Sequence, residues 1–210
     1  MADNYLEKRQ EELAHAQKTV VKRNHLSLDT LLHRNRSYRG FDGSVAVSEA
    51  QLRELVGVVP LVASGMNRQA LRFHLVTGAD TALVHPLVKL GAALPQEHLP
   101  HPGMEPAAYL VVCSTVPEDK VVDMDLGIAA QSILLKATEM GLGGIFILNF
   151  QREALRDALG LLMEPLAVIG LGKPAETIFL MPGASPDALT YYRKDGVHYV
   201  PKLSVDALII

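Results

Sequence analysis

The sequence contains few of the residues that mark several common classes of protein. Its 210 residues include one cysteine, no tryptophan and only 5% aromatic side chains. The single cysteine, Cys113, rules out an internal disulfide, and its apolar surroundings (AYLVVCST) are typical of a buried strand thiol rather than a nucleophile. Sparing use of cysteine suits a reducing compartment, so we expect a cytoplasmic protein.

Neither charge nor hydropathy indicates a nucleic-acid or membrane partner. Lysine and arginine total 20 against 23 acidic residues, so a formal net charge of -3 provides no general field to attract nucleic acid. No segment approaches the roughly 18 unbroken apolar residues of a membrane span, and the charged segment MADNYLEKRQEELAHAQ lacks the apolar centre of a signal peptide. We expect a soluble intracellular protein in which any anion site is formed locally.

The chain has enough apolar material for one sizeable core. Apolar residues make up 49% of the sequence, and no internal repeat, low-complexity tract or linker divides it. Residues 4–22 favour a helix but carry too sparse an apolar stripe to face a core. We therefore expect residues 1–26 to form an N-terminal helical extension and residues 27–210 to form a single domain.

Helical and strand patterns alternate irregularly along this domain. Helices are predicted after Ser27, from the capping box of Ser48 and Gln51 to about Pro60, in DTALVHPLVKLGAAL with a break at Pro86, and in QREALRDALG. Strands are predicted in LRFHLV, AAYLVVCST, GLGGIFIL and PLAVIGLG.

The segment from residue 123 to residue 140 predicts a helix with apolar residues on nearly every face. Such a helix is buried on all sides, either by its own core or by another subunit. Asp123 and Asp125 near its beginning are most simply explained as favourable charges against the helix dipole. The apolar ending DALII should also pack on another surface.

Two glycine patterns and one histidine pair could indicate ligands. Gly170-x-Gly172-x-x-Ala175 follows a strand, but no helix follows it to face a pyrophosphate, so a dinucleotide site is rejected. The GLGG segment either lets the backbone approach a flat ligand or simply stops a helix before a strand. His98 and His101 lie in a proline-rich loop without a third regularly spaced ligand, which favours a mobile or substrate-facing loop over a metal site.

The stretch HRNRSYRGF concentrates three arginines in nine residues. Arg36 and Arg39, with the Ser37 hydroxyl between them, offer forked donors suited to a phosphate, and Arg193 could add a further cation. Taken alone, the stretch could equally be a solvated surface turn.

Four segments taken in order resemble the nitroreductase family of FMN-dependent oxidoreductases. They are RNRSYRGF, ASGMNRQALRFHLV, DLGIAAQSILLKATEMGLGGIFI and PLAVIGLGKPAE, and the resemblance covers about residues 27 to 200. It implies an α+β fold in which helices wrap a mostly antiparallel central sheet. It also implies an intertwined homodimer with two FMN sites at the interface, the long apolar helix at its centre and the apolar tail on the partner subunit.

The resemblance assigns residues to the FMN site position by position. Arg36, Ser37, Arg39 and the late basic residue Arg193 correspond to the holders of the phosphate and ribityl chain. A loop that contacts the flavin from the other subunit corresponds to Ser64, Gly65, Asn67 and Gln69. The backbone from Gly143 to Asn149, which includes Gly144, would lie against the isoalloxazine ring, with a main-chain N–H near Leu148 or Asn149 donating to N5.

The sequence also departs from the usual family pattern. Asn35 stands where a further arginine is common, and whether Arg34 replaces it stays open. Gln69-Ala70-Leu71 replaces Gln-Pro-Trp, and Leu148-Asn149 replaces a frequent Glu-Gly pair. These changes leave FMN binding as the expectation but weaken any transfer of substrate from better-known members.

The activity implied by the resemblance is a hydride relay from NAD(P)H through FMN to an electron-poor acceptor such as a nitroaromatic or a quinone. The flavin would carry the chemistry, so no catalytic side chain is assigned. Two alternatives stay open: a flavin-binding or storage module without turnover, and a different flavin reaction on the same fold, such as a dehydrogenase, a dehalogenase or a flavin-cleaving enzyme.

Overall fold

The structure is a computed structural model that describes residues 26–185 and 187–210. The helix expected over residues 4–22 lies outside these residues, as does almost all of the expected N-terminal extension. The described part contains a four-stranded sheet, a smaller three-stranded sheet and the helices that cover them.

The described helices are α1 (Leu28–Arg34), α2 (Glu49–Val56), α3 (Thr81–Val84), α4 (Lys120–Glu139) and α5 (Arg152–Ala158). The strands are β1 (Leu71–Thr77), β2 (Ala108–Ser114), β3 (Gly143–Ile147), β4 (Pro165–Gly172), β5 (Thr177–Pro182), β6 (Tyr192–Lys194) and β7 (Val197–Lys202).

Side-chain caps fix the beginnings of three helices. The Ser27 side chain accepts a hydrogen bond from the Thr30 amide at the start of α1, and Ser48 and Gln51 form the predicted capping box of α2. Asp119 accepts from the amides of Val121 and Val122, so α4 begins at Lys120, earlier than the sequence pattern indicated. The predicted helix around Pro86 is reduced to α3 and a single 3-10 turn, His85–Leu87.

The larger sheet has the strand order β1-β2-β4-β3 and is antiparallel throughout. Its two central strands, β2 and β4, are buried along their whole length, which explains their uninterrupted apolar sequences. Alternate side chains of β2 point to opposite faces: Leu110 and Val112 join the core beneath α4, whereas Tyr109 and Val111 join the core beneath α3 and α5. Helices therefore cover both faces, and the predicted α+β fold is confirmed.

None of the three strands of the smaller sheet was predicted from the sequence. It has the order β5-β7-β6, with β5 parallel to β7 and β6 antiparallel to β7. Asp195 and Gly196, with φ values of 52° and 75°, form the tight turn between β6 and β7. The strands of this sheet are partly exposed and have no long apolar run, so no strong local pattern marks β5.

Within one chain, the long helix α4 is not buried on all sides. An exposed stripe runs along α4 and includes Met124, which is 56% exposed, and Ile128. The apolar side chains of Val205, Leu208, Ile209 and Ile210 in the tail are also exposed. Burial of both surfaces by a second subunit stays a prediction. Within residues 26–185 and 187–210, no helix combines the length and apolar character needed to span a membrane.

Candidate functional site

A cavity of about 280 Å3 lies where the arginine-rich stretch, α4 and the small sheet meet. Its lining includes Arg36, Ser37, Arg39, Gln131, Tyr191 and His198. We call it the arginine cavity. It brings together side chains that are more than 150 positions apart in the sequence, such as Arg36 and His198.

The backbone of β3 holds the arginine-rich stretch in place. Ser37 forms an isolated parallel bridge with Gly144, and the Tyr38 amide donates to the Gly144 carbonyl at 3.1 Å. The Tyr38 hydroxyl donates to the Arg34 carbonyl at 2.8 Å. The Arg34 side chain is exposed and does not belong to the cavity lining.

The two cavity arginines are fixed by contacts within the chain. Arg36 donates from Nη2 to the Leu32 carbonyl, and partial burial lowers the pKa of its guanidinium. Arg39 donates from Nη1 to the Ser37 carbonyl at 2.9 Å, and its guanidinium carbon lies 4.9 Å from the centre of the Tyr191 ring. Neither contact is an ion pair, so both guanidinium groups retain their charge for another partner.

Four buried side-chain nitrogens have no hydrogen-bond partner among the described residues. They are Nε of Arg36, Nε of Arg39, Nε of Arg193 and Nδ1 of His198. Leaving a buried polar group unpaired costs about 1–3 kcal/mol each. Three of the four belong to residues that line the arginine cavity, and the cationic side chains of that lining suit a ligand that carries negative charge.

Arg193 does not line the arginine cavity of a single chain, and its predicted contact with a phosphate stays a prediction. Its Nη2 donates to Oε2 of Glu176 in an ion pair that is largely shielded from water, and it is not among the residues that line the cavity. Oε1 of Glu176 accepts from the backbone amides of Arg39 and Gly40, the latter at 3.2 Å. Glu176 thus ties β6 to the arginine-rich stretch. In the sequence, Glu176 is recognisable only as an acidic residue in the connection between β4 and β5.

His198 is another functional candidate that the sequence did not reveal. This residue lines the cavity, and its buried Nδ1 has no hydrogen-bond partner among the described residues. Burial, with smaller contributions from the charges of Arg39 and Arg193, lowers the pKa of His198 to about 4. The imidazole is therefore neutral near pH 7.

The segment from Ser64 to Gln69 is organised by Asp125. The Ser64 hydroxyl donates to Oδ2 of Asp125 at 2.6 Å, and the Gly65 amide donates to Oδ1 at 2.8 Å. The interpretation of Asp125 as a charge against the helix dipole is wrong, because α4 begins at Lys120 and Asp125 lies beyond its first turn, where it is buried. Its carboxylate is instead the anchor of the loop.

The rest of that loop has an unusual backbone. Met66, Asn67 and Gln69 have φ values of 52°, 54° and 46°, and the Gln69 side chain donates to Oδ1 of Asn67 at 2.8 Å. Non-glycine residues seldom adopt positive φ values, and three of them within four positions indicate a conformation imposed by the surrounding contacts. The hydrogen bonds of Asp125 supply part of that constraint.

The Ser64–Gln69 loop borders a second cavity, of about 510 Å3, which is separate from the arginine cavity. Ser64 and Gln69 line the second cavity, and the two linings share no described residue. Asp125 and Ala129 of α4 face the second cavity, whereas Gln131 and Leu134 on another side of the same helix face the arginine cavity. A single chain therefore does not bring the two predicted halves of the site together.

The predicted residues on β3 are not part of the two cavities. Gly144 is buried, and a Cβ atom there would lie 2.7 Å from both the Gly170 carbonyl oxygen and Cδ2 of Leu134, so this glycine allows close packing within the chain. Leu148 and Asn149 are exposed at the end of β3, where the Asn149 carbonyl accepts from the Lys89 amide at 2.8 Å. A contact between these residues and a flavin stays a prediction.

The remaining motifs have structural roles or no partners in the described chain. Cβ atoms at Gly170 and Gly172 would collide with Pro106 and Phe41, so these glycines serve packing in an antiparallel sheet. Over residues 26–185 and 187–210, no group of three or more His, Cys, Asp or Glu side chains could hold a metal ion. His98 and His101 are both exposed.

Comparison with solved structures identifies the same fold in nitroreductase-family proteins. An FMN- and NADPH-dependent nitroreductase from Sphingopyxis sp. strain HMH aligns with a TM-score of 0.65 and 17% identity over 88% of this chain and 98% of its own. A nitroreductase family protein from Streptococcus pneumoniae TIGR4 aligns with a TM-score of 0.61 and 16% identity over 80% of this chain and 100% of its own. An FMN-dependent nitroreductase from Clostridium difficile R20291 aligns with a TM-score of 0.54 and 20% identity over 70% of this chain and 87% of its own.

Sequence comparison gives the family directly. A search of curated proteins finds no match. The family model described as Nitroreductase family matches residues 32–173, which is well over half of the chain and includes the arginine-rich stretch, α4 and the large sheet. The chain therefore belongs to the nitroreductase family.

Proposed function

We propose that this protein is an FMN-dependent oxidoreductase that passes hydride from NAD(P)H to an electron-poor acceptor of the nitroaromatic or quinone type. The observation that carries the proposal is the arginine cavity, with its cluster of unpaired buried nitrogens on cationic and imidazole side chains. Family membership and the printed descriptions of similar structures as FMN-dependent support the identity of the ligand.

The lining of the arginine cavity fits the phosphate end of FMN. Arg36 and Arg39 offer planar groups with several donors, and the Ser37 hydroxyl offers one more between them. A phosphate monoester carries up to two negative charges and three acceptor oxygens, which suit the guanidinium and hydroxyl donors of the lining. Lys202, which also lines the cavity, adds a further positive charge.

Bound FMN supplies the hydride chemistry, as a flavin does in other oxidoreductases. The chain's own contribution is to bind the phosphate, orient the cofactor and cover part of it. The Ser64–Gln69 loop, fixed by Asp125, is suited to the last of these tasks, but in one chain it borders a different cavity. A homodimer in which each loop completes the partner's site resolves this separation, and the exposed apolar stripe of α4 provides a surface for it.

The test compares the double variant Arg36→Ala/Arg39→Ala with the single variant Arg34→Ala. Arg34 is an exposed arginine of the same stretch that does not line the cavity, so it is a matched control. Hydrogen bonds to charged groups contribute about 1.5–3 kcal/mol each, so the double variant should bind FMN at least about 100-fold more weakly. FMN retained after desalting, measured by its visible absorption, should fall in the double variant and not in the control.

Activity is tested on wild-type protein reconstituted with FMN. Addition of NADH or NADPH without oxygen should bleach the flavin absorption, and a nitroaromatic or quinone should restore it. If the double variant retains FMN as the control does, the assignment of the cavity is wrong. If FMN binds but neither nicotinamide bleaches it, the protein is a flavin-binding module and the proposed turnover is wrong.

A further inference from the structure

Tyr191 meets Arg39 on the wall of the arginine cavity. Tyr191 directly precedes β6, and both residues belong to the cavity lining. The guanidinium carbon of Arg39 lies over the Tyr191 ring, 4.9 Å from its centre. A cation within about 6 Å of the ring centre is attracted by the negative face of the aromatic system. The contact therefore favours one orientation of the Arg39 side chain.

The Arg39 guanidinium leaves only its outer end for a ligand. Its Nε is buried and has no partner among the described residues, and Nη1 donates to the Ser37 carbonyl at 2.9 Å. Nη2 also has no partner among those residues, but it is not one of the buried unpaired nitrogens. A ligand in the cavity therefore reaches Arg39 at Nη2 and not at Nε. Because the guanidinium is planar, the two contacts that fix its plane also fix the direction of the Nη2 donors.

His198 supports the Tyr191 ring without competing for it. The centres of the two rings lie 5.1 Å apart, and His198 is only 2% exposed within the small sheet. Burial, with smaller contributions from the charges of Arg39 and Arg193, lowers the pKa of His198 to about 4. The imidazole is neutral near pH 7, so Arg39 is the cation that the Tyr191 ring attracts.

We propose that Tyr191 is a positioning residue that holds the Arg39 guanidinium in the orientation in which it binds an anionic ligand in the arginine cavity. The inference rests on the proposed function, in which that ligand is the phosphate group of FMN. An arginine that is already immobilised loses less conformational entropy when it binds. Without the ring, Arg39 keeps its charge but samples more side-chain orientations, and the affinity for the ligand falls.

Two other roles for Tyr191 give different experimental results. In a purely structural role, the ring packs against His198, and its loss weakens binding whether or not Arg39 is present. In a direct binding role, the Tyr191 hydroxyl, which has no partner among the described residues, donates to the ligand. The positioning role alone requires both the aromatic ring and Arg39 but not the hydroxyl.

The first experiment measures the Kd of FMN by quenching of flavin fluorescence in the wild type, Tyr191→Leu and Tyr191→Phe. Tyr192→Leu is the matched control, because Tyr192 is the next residue, is 41% exposed and stacks on Tyr199 outside the cavity lining. Tyr191→Leu should weaken FMN binding by about 5- to 30-fold, as expected for the loss of a partly desolvated cation–π contact. Tyr191→Phe keeps the ring, so it and the control should stay within about twofold of the wild type.

A double-mutant cycle with Arg39→Ala separates positioning from a general structural defect. Arg39→Ala should weaken FMN binding by at least about 10-fold, and adding Tyr191→Leu to it should change Kd by less than about twofold. If Tyr191→Leu has the same effect in both backgrounds, or Tyr191→Phe is as weak as Tyr191→Leu, the positioning role is wrong and the proposed function stands. If the wild type does not bind FMN, or Arg39→Ala binds it equally well, the assignment of the cavity is wrong as well.

A measurement on the wild-type protein covers the case in which Tyr191→Leu fails to fold. In protein with 15N-labelled arginine, the Nε–H proton of Arg39 is assigned by its loss in Arg39→Ala. The ring current above the face of Tyr191 should move this proton upfield of the other arginine Nε–H signals, and Tyr191→Phe should preserve the shift. An Arg39 signal among the others would show that the guanidinium does not rest on the ring, which overturns the inference.

Discussion

Glu176 provides the sharpest test of how the arginine cavity is held together. Its carboxylate accepts from the amides of Arg39 and Gly40 and pairs with Arg193, whose side chain is 16% exposed against 7% for Glu176. In Glu176→Gln, the amide oxygen can still serve the backbone, but the NH2 group faces the guanidinium. Arg193 is then a buried charge without a counter-ion.

The expected cost follows from that burial. Removing one partner of a buried ion pair costs about 3–5 kcal/mol, because the remaining charge is left uncompensated. Glutamine retains the acceptor for the amides, so we expect Glu176→Gln to lower the free energy of unfolding of the apoprotein by about 3 kcal/mol. For a chain of this size, that loss should lower Tm by about 6–12 °C.

Urea unfolding followed by circular dichroism measures this loss, with an unchanged m value showing that the unfolding transition is comparable. The double variant Glu176→Gln/Arg193→Gln is the control, because it removes both charges and should recover at least about 1 kcal/mol relative to the sum of the single variants. A loss below about 1 kcal/mol for Glu176→Gln, or strict additivity in the double variant, would refute the reasoning.

Three further predictions concern the surrounding structure. Asp125→Asn replaces one of the carboxylate oxygens that hold the Ser64–Gln69 loop by a donor, and it should lower the free energy of unfolding by about 1–3 kcal/mol. The control Asp123→Asn alters an exposed carboxylate and should change it little. Equal urea midpoints for the two variants would contradict this prediction. The pKa of His198 in the folded protein is about 4, below the ordinary 6.5, so the free energy of unfolding should fall as the pH decreases from about 6.5 to 4. The loss should be at most about 3 kcal/mol before screening by water in the cavity. Urea titrations at several pH values should show this dependence in the wild type and a flatter one in His198→Phe. Gly144→Ala places Cβ 2.7 Å from a backbone oxygen and should cost about 1–3 kcal/mol in thermal unfolding. An unchanged Tm would refute the packing argument.

The large sheet could be predicted because its signals are local. The apolar runs of β2 and β4 are long enough to indicate buried strands wherever they pair, and the capping box of Ser48 fixes the start of α2 without reference to distant residues. The small sheet could not be predicted in the same way. β5 gains its partner only by lying parallel to β7, 20 residues later in the chain, and nothing in its partly exposed sequence specifies that pairing.

The candidate site shows the same division. Arg36, Ser37 and Arg39 are adjacent in sequence, so their resemblance to a family motif was sufficient to place them together, and the structure does so. Glu176 and Asp125 could not be assigned, because the role of a carboxylate depends on which donors reach it. These donors come from residues 136 and 61 positions away. The sequence gives the charge of such a residue, but only the fold gives its partners.

The composition of the arginine cavity has a consequence for the order of events during synthesis. One wall comes from residues 35–39 and another from the small sheet, including Tyr191, His198 and Lys202. The large sheet is complete at Gly172, so its strands can pair while the remaining chain is still in the ribosome. The arginine cavity cannot close until β7 has emerged from the ribosome, so a ligand that needs all of its walls binds only after that point. A nascent chain halted after β4 would carry the arginines without the histidine and lysine that face them.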